Sequence, residues 1–196
     1  MNRGDSMGIK GRLVVPVPQE RIGVIIGKGG ATRKQIEKLC NVKLWVDSAN
    51  NEVIIMPRDE KTTISDMMKA RDVLRAIALG FSPEAALSLA DEMVILECID
   101  LGEVARNKAD LKRIKGRIIG EEGKAKKMIE EMSGAKLVIG EKHVGIIGDY
   151  EQVRIAREAV EMLIRGRQHK TVYDFLRRQR HELKRRRLEL WEKFTF

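Results

Sequence analysis

The chain has 196 residues, 43% hydrophobic and 34% charged, with 38 Lys and Arg against 29 Asp and Glu for a net charge of +9. That much apolar material excludes a disordered chain, and the length suits one large domain or two small ones. The basic excess marks a protein that meets polyanions, while the lack of any run near roughly 18 apolar residues argues against a membrane span.

In chain order, residues 1–11 read as a flexible, polar tail without a signal-peptide core, which points to the cytoplasm. Residues 12–17 are a β-branched run ended by Pro18, a strand. Residues 20–26 form a short helix with Ile22, Ile25 and Ile26 inward, stopped by Gly27. Past Gly27-Lys28-Gly29-Gly30, residues 32–40 place Ile36, Leu39 and Cys40 on one helical face. Residues 42–46 and 52–56 are strands around the turn Ser48-Ala49-Asn50-Asn51. A helix over 64–79 then repeats Met67, Met68, Val73, Leu74 and Ile77 three and four apart. Ser82 before Pro83 opens a connecting helix over 82–92.

The order then recurs: a strand over 94–101, a helix over 108–115 with Asn107 and Asp110 as a capping pair, Gly120, a helix over 124–132, strands over 135–139 and 144–147, and a helix over 151–164. The residues themselves repeat. Ile25-Ile26-Gly27, Gly30, Lys34, Ile36, Glu37 and Leu44 return 93 positions later as Ile118-Ile119-Gly120, Gly123, Lys127, Ile129, Glu130 and Leu137. Ala70-Arg71-Asp72 and Gly80 return as Ala156-Arg157-Glu158 and Gly166 at an offset of 86, so the first copy carries 7 extra residues between Leu44 and Ala70. The turn at 48–51 and the polar stretch 58–63 are the tolerant places for them.

A glycine-flanked loop between two helices lets its backbone approach another backbone, with amides and a helix N-terminus facing the ligand; phosphate suits such a surface. Gly27-Lys28-Gly29-Gly30 lacks the spacing of a nucleotide-binding P-loop and follows a helix, unlike a dinucleotide fingerprint. Residues 21–45 hold six Lys or Arg and one acid, Glu37. Arg21, Lys28, Arg33 and Lys34 are the expected phosphate contacts, a solvated helix face being the alternative for Lys34 and Lys38. The second loop, Gly120-Glu121-Glu122-Gly123, turns two carboxylates toward the same place, which opposes phosphate. Its flanks stay basic at Lys115, Arg117, Lys124, Lys126 and Lys127. Two expectations remain there: weaker nucleic-acid contact through Lys115, Arg117, Gly120, Gly123, Lys124 and Lys127, or a packing or protein-binding role.

From Gly166 to Phe196 there are ten Lys or Arg and four acids, so +6 of the +9 sits in the last 31 residues. Thr171 with Asp174 reads as a cap, and Val172, Leu176, Leu183, Leu190 and Phe194 as a broken apolar stripe. Arg177, Arg178, Arg180 and Arg185-Arg186-Arg187 load the other faces. This helix either stays solvated or touches RNA phosphates or an acidic partner, Arg177 and Arg178 being the RNA candidates. Trp191, Phe194 and Phe196 offer a docking anchor.

Cys40 and Cys98 sit in apolar runs and read as reduced, buried thiols. His143, His169 and His181 are scattered without metal spacing, and no nucleophile has a base. The expectation is a binding protein with no catalytic residues, metal or cofactor. Scarce Gln and Asn beside abundant Glu, Lys and Arg suggest a thermophilic source.

Ile-Ile-Gly-Lys-Gly-Gly, with Ile36 six residues past the last glycine, between two short helices and ahead of two strands, resembles the type I KH domain. The resemblance implies an α+β fold of two tandem KH domains, over 12–81 and 93–166, plus a C-terminal basic helix over 167–196. It also implies that Gly27, Lys28, Gly29 and Gly30 clamp about four nucleotides of single-stranded RNA or DNA while bases lie in an apolar groove. Ile25, Ile26 and Leu44 would floor that groove or belong to the core. One departure is that Arg33 and Lys126 stand where KH domains often carry an apolar residue.

The two copies, the junction Gly80-Phe81-Ser82-Pro83-Glu84 and the segment His169-Lys170-Thr171-Val172-Tyr173-Asp174-Phe175-Leu176 together resemble the archaeal branch of the partner-of-Nob family. That implies an RNA-binding small-subunit ribosome assembly factor acting in rRNA processing near the 3′ end of 16S rRNA. Its implied partners are the Nob-type endonuclease, an rRNA dimethyladenosine transferase and, because that 3′ end pairs with messages, a translation initiation factor. Eukaryotic members keep the full glycine loop in the second module; here the basic loop is in the first. The alternatives are a regulator of other single strands and an RNA-decay accessory subunit, although the latter is expected to carry an S1 barrel as well.

Overall fold

The computed structural model describes residues 11–194, so the expected tail over 1–11 lies almost wholly outside the described residues. The chain divides into two compact units between Val94 and Ile95.

The first unit runs β1 (Leu13–Pro16), α1 (Gln19–Ile26), α2 (Ala31–Leu39), β2 (Val42–Asp47), β3 (Glu52–Pro57), α3 (Ile64–Leu79) and α4 (Pro83–Leu87). Its antiparallel sheet has the order β1-β3-β2, with Val15 opposite Val53 and Leu44 opposite Ile55. The period-2 alternation of strands turns Val15, Val42, Leu44, Val53 and Ile55 into the core, where Ile22, Ile25, Ile36 and the inner face of α3 meet them. Two expected core residues are not there: Leu39 is 56% exposed and Met68 sits at the rim. On α2 the buried line is Thr32, Ile36, Cys40, four apart, which leaves Leu39 to one side of it; on α3 the line Met67, Ala70, Val73, Leu74, Ile77 leaves Met68 on the far side of the helix. The connector expected over 82–92 is a five-residue helix, capped by the Ser82 hydroxyl accepting from the Ala85 amide at 3.3 Å, and then a tight turn over Ser88–Ala90. It packs on α3 and buries Ala86 and Leu89.

The second unit runs β4 (Val94–Asp100), α5 (Leu101–Val104), α6 (Lys108–Ile119), α7 (Lys124–Ser133), β5 (Lys136–Ile139), β6 (His143–Asp149), α8 (Tyr150–Ile164) and α9 (His169–Phe194), with sheet order β4-β6-β5. The short α5 was absent from the expected elements; its start is fixed by Asp100, whose carboxylate accepts from the Gly102 amide at 2.6 Å. Helix α6 runs past the expected end at 115 to Ile119, because Gly116 stays helical. Asn107 caps it as expected, but Asp110 accepts from the Arg106 amide, one residue before the cap.

The register accounts for the seven extra residues. Leu44 faces Ile55 and Leu137 faces Ile146, eleven and nine positions on, so two lie in the first hairpin. The caps Thr63 and Asp149 follow those partners by eight and three positions, so five lie between β3 and α3. That insert is held by buried Thr62, whose hydroxyl accepts from the Arg58 amide and donates to the Asn41 carbonyl at 2.9 Å. Both closing helices begin with a reciprocal capping box, Thr63 with Asp66 and Asp149 with Gln152.

Cys40 is fully buried; burial, helped by nearby Asp66, pushes its thiol up to about 11. Cys98 is exposed on β4, contrary to expectation, because β4 half-buries its residues on both faces.

Helix α9 begins at His169, so Thr171 lies inside its first turn instead of capping it, and Asp174 pairs with Arg177 at 3.2 Å. Its first turns belong to the second core: Val172 and Leu176 are fully buried, and Phe175, missing from the expected stripe, nearly so. Leu183 is half-buried and Leu188 is 65% exposed, so contact with the core fades along the helix. The change expected at residue 167 is therefore a change of charge and not of packing. The side chains of Leu190, Trp191 and Phe194, and all of Phe196, lie outside the described residues. Leu176→Ala is expected to cost about 2–5 kcal/mol in chemical denaturation; a midpoint unchanged from the parent chain would mean that α9 is not part of this core.

Candidate nucleic-acid interface

Helix α1 ends at Gly27, with φ 72° and ψ 173°, and the chain turns sharply into α2. Only glycine fits there: a Cβ would lie 2.3 Å from Thr32 Oγ1 and 2.8 Å from its amide nitrogen. Gly29 and Gly30 take φ 59° and 78°, and nothing stands within 4 Å of the Gly29 Cβ position, so the outer side of the loop is open to another backbone. Helix α2 starts at Ala31 and points its amide end at this opening.

The second loop has nearly the same backbone. Gly120 (φ 73°, ψ 176°) packs on Ala125 as Gly27 packs on Thr32, and Gly123 takes φ 77°. Glu122 stands where Gly29 does, at φ 50° and ψ 28°, a left-handed conformation that costs an acidic residue about 1 kcal/mol. The module thus keeps the shape of the loop and reverses its charge.

The expected contact residues divide in two. Lys28 and Lys34 are exposed and, among the described residues, carry no ion pair, as does Lys124 beside the second loop. Arg33 is half-exposed and donates to Glu37 Oε1 at 3.1 Å. Lys127 makes only a solvent-exposed pair with Glu131 at 3.8 Å, and such pairs contribute little. Lys115 reaches the Glu141 carbonyl at 3.2 Å, and Arg178 is exposed and unpaired among the described residues.

Arg21 and Arg117 are used within the protein. Arg21 donates from Nε to the Ile77 carbonyl at 2.8 Å and from Nη2 to the Phe81 carbonyl at 2.6 Å. Arg117 donates to the carbonyls of Leu163 at 3.1 Å and Arg167 at 2.5 Å, and its own carbonyl accepts from His169 Nε2 at 2.8 Å. The four acceptors are the repeat-related carbonyls left over where α3 and α8 end, and a cation complements the negative end of each helix. The arginines themselves are 96 positions apart, one helical turn out of register with the 93-residue repeat.

Sequence reasoning missed the role of Glu37 and Glu130. Glu37 Oε1 accepts the Leu44 amide at 2.9 Å and Glu130 Oε1 the Leu137 amide at 2.8 Å, each bracing the second helix of its module to the free edge of a strand. The available signal was an acid kept at one repeat position amid lysines. Of the expected groove floor, Ile25 and Leu44 are buried in the core and only Ile26 is partly accessible. Trp45 is 61% exposed on the outer face of the first sheet. Among the described residues no cluster of His, Cys, Asp or Glu could hold a metal ion, and no helix is long and apolar enough to cross a membrane.

Comparison with known proteins places this geometry. Residues 12–71 match the KH domain family, and residues 95–181 match the eukaryotic-type KH domain (KH-domain type I) in the form of the second such domain of PNO1. The chain is 44% identical over 180 residues to a KH domain-containing protein of Methanocaldococcus jannaschii, covering 92% of this chain and 79% of that one. It is 31% identical to the pre-rRNA-processing protein PNO1 of Debaryomyces hansenii, covering 88% and 68%. For the nematode RNA-binding proteins pno-1 it spans 64% of their length. Among solved structures, the a/eIF2alpha–aDim2p–rRNA complex from Pyrococcus horikoshii holds a chain of 41% identity that superposes with a TM-score of 0.82, covering 90% of this chain and 97% of that one.

Gly27→Ala is expected to lower stability by more than about 2 kcal/mol, since both backbone and neighbour oppose a methyl group, against about 1–2 kcal/mol for Gly29→Ala. Arg21→Gln is expected to cost about 1–2 kcal/mol in denaturant while changing oligonucleotide affinity by less than about twofold. A large affinity loss at unchanged stability would return Arg21 to the ligand surface.

Proposed function

The chain belongs to the PNO1 family of type I KH-domain proteins, and from that premise we propose that it is an RNA-binding small-subunit ribosome assembly factor. Its ligand is single-stranded rRNA near the 3′ end of the small-subunit rRNA, gripped by the first module. The observation that carries the reading is the Gly27–Gly30 loop: a backbone open on its outer side, at the N-terminus of α2, with Lys28 and Lys34 exposed and without an ion pair among the described residues. Backbone amides and two mobile ammonium groups meet phosphates, while Ile26 and the free edge of β2 border the place for bases.

In this reading Lys28, Lys34, Gly29 and Gly30 contact RNA directly, Gly27 shapes the loop, and Arg33 contributes charge while held by Glu37. Arg21 and Arg117 position helices. Gly120, Gly123, Lys124 and Lys127 form the weaker second surface, where Glu121 and Glu122 repel phosphate. The role is binding and not catalysis, and its place is the cytoplasm. The Pyrococcus relative was crystallised with rRNA and a/eIF2alpha, which supports rRNA and a translation initiation factor as partners here, beside the Nob-type endonuclease and the dimethyladenosine transferase.

Lys28→Asp combined with Gly29→Asp is expected to weaken binding of a 3′-end rRNA oligonucleotide at least about tenfold, or about 1.4 kcal/mol, in fluorescence anisotropy. Unchanged affinity would remove the loop from the clamp. Crosslinking in cells followed by sequencing is expected to give a peak at the small-subunit rRNA 3′ end; reads scattered over messages would favour the regulator instead.

A further inference from the structure

The second unit has a recess that the clamp does not use. It lies between the end of α7 and one flank of α9, encloses about 290 Å³, and is lined by Met132, Arg177, Arg180, His181 and Lys184. Positions 177, 180, 181 and 184 follow the i, i+3, i+4, i+7 spacing of a single helical stripe, alongside the Val172, Leu176, Leu183 stripe that meets the core. α9 therefore lays a wholly basic stripe against the end of α7.

The cations of this stripe differ from the others on the same helix. Arg185 and Arg186 face carboxylates, Glu189 at 3.5 Å and Glu182 at 2.6 Å. Of the recess residues only Arg177 has one among the described residues, Asp174. Arg180 donates to the sulfur of Met132 at 3.4 Å, a weak acceptor, and His181 and Lys184 have no ion pair among the described residues. Like charges held this close repel one another, and an anion placed among them relieves the repulsion. A guanidinium and an ammonium one helical turn apart suit phosphate oxygens, the guanidinium by paired hydrogen bonds.

We propose that this recess is a second phosphate-binding site for single-stranded RNA, in which Arg180 and Lys184 hold the backbone and Arg177 and His181 flank it. The proposal rests on the RNA-binding reading above and places the second module's contact away from its glycine loop. Met132 is the ninth residue of α7, so at 1.5 Å per residue the recess lies about 12 Å along the helix from the loop. That is beyond the roughly 8 Å screening length at physiological salt, so Glu121 and Glu122 oppose an anion there only weakly. An acidic protein partner is the poorer fit, since interfaces rely on apolar anchors and Met132 is the one apolar side chain in the lining.

The test uses the full chain in four forms: unaltered, Lys28→Asp/Gly29→Asp, Arg180→Gln/Lys184→Gln, and the combination. Each is titrated over a range of salt with a 3′-end rRNA oligonucleotide of about four nucleotides, the reach of one KH clamp, and with one of roughly twenty. The Arg180→Gln/Lys184→Gln form is expected to bind the long RNA at least about tenfold more weakly, with a salt slope smaller by roughly 1.4 for two lost phosphate contacts. Its affinity for the short RNA and its thermal midpoint stay as in the unaltered chain. Long-RNA affinity and slope that do not change would overturn the second site while leaving the clamp standing, and would leave an acidic protein as the occupant to seek. If the clamp variant alone keeps full affinity for both RNAs, it is the clamp that fails, and the combined variant then reads the recess by itself.

Discussion

The close approach of a glycine to the helix that follows it sets the geometry of both modules. Gly27 lies so near Thr32, and Gly120 so near Ala125, that a methyl group has no place at either junction. This contact fixes where the second helix begins. With α2 starting at Ala31, Ile36 and Cys40 point into the core and Glu37 comes within reach of the Leu44 amide; with α7 starting at Lys124, Ile129 and Glu130 do the same beside Leu137. The open loop, the amide end of the helix and the braced strand edge are thus one construction, and a change at the glycine is felt in all three.

On this shared frame the two modules carry opposite surfaces. The first presents Lys28 and Gly29 where the second presents Glu121 and Glu122, and the dihedrals of Gly29 and Glu122 differ by less than about 10°. Holding Glu122 in a left-handed conformation has a cost, so the second loop preserves a shape without the charge that suits phosphate. Most of the net positive charge in that unit lies instead on α9, whose first turns are core and whose later turns are solvent-facing. The hydrophobic contacts of Val172, Phe175 and Leu176 anchor a cationic surface that would otherwise be a free chain.

Much of this was legible in the residues. The repeat, the seven-residue insertion, the element order and the glycine loop follow from periodicity and self-comparison, because strands and helices impose their own spacing on apolar side chains. The failures have particular causes. Leu39 falls to one side of its buried line and Met68 nearly opposite its own, a difference that a run of mixed apolar residues does not show. Helix α6 continues through Gly116 to Ile119, four residues past its expected end at 115. Cys98 sits in an apolar run yet lies exposed on its strand. The carbonyls that hold Arg21 and Arg117 leave no trace in the residues around them, because a guanidinium near a phosphate loop and one near a helix end are alike in sequence. Thr171 with Asp174 mimics a cap one turn inside α9, since the true start at His169 is set by tertiary contact with Arg117.

The two arginines that tie off α3 and α8 have a further implication for how such domains diverge. They serve equivalent carbonyls from positions one turn apart, so the acceptors, and not the donor's place in the chain, are what the fold demands. Aligned column by column, Arg21 and Arg117 would fall in different columns and the tie would look dispensable in each module. A donor can therefore migrate along the first helix over evolutionary time without the helix end ever going bare, provided that the new arginine arrives before the old one is lost.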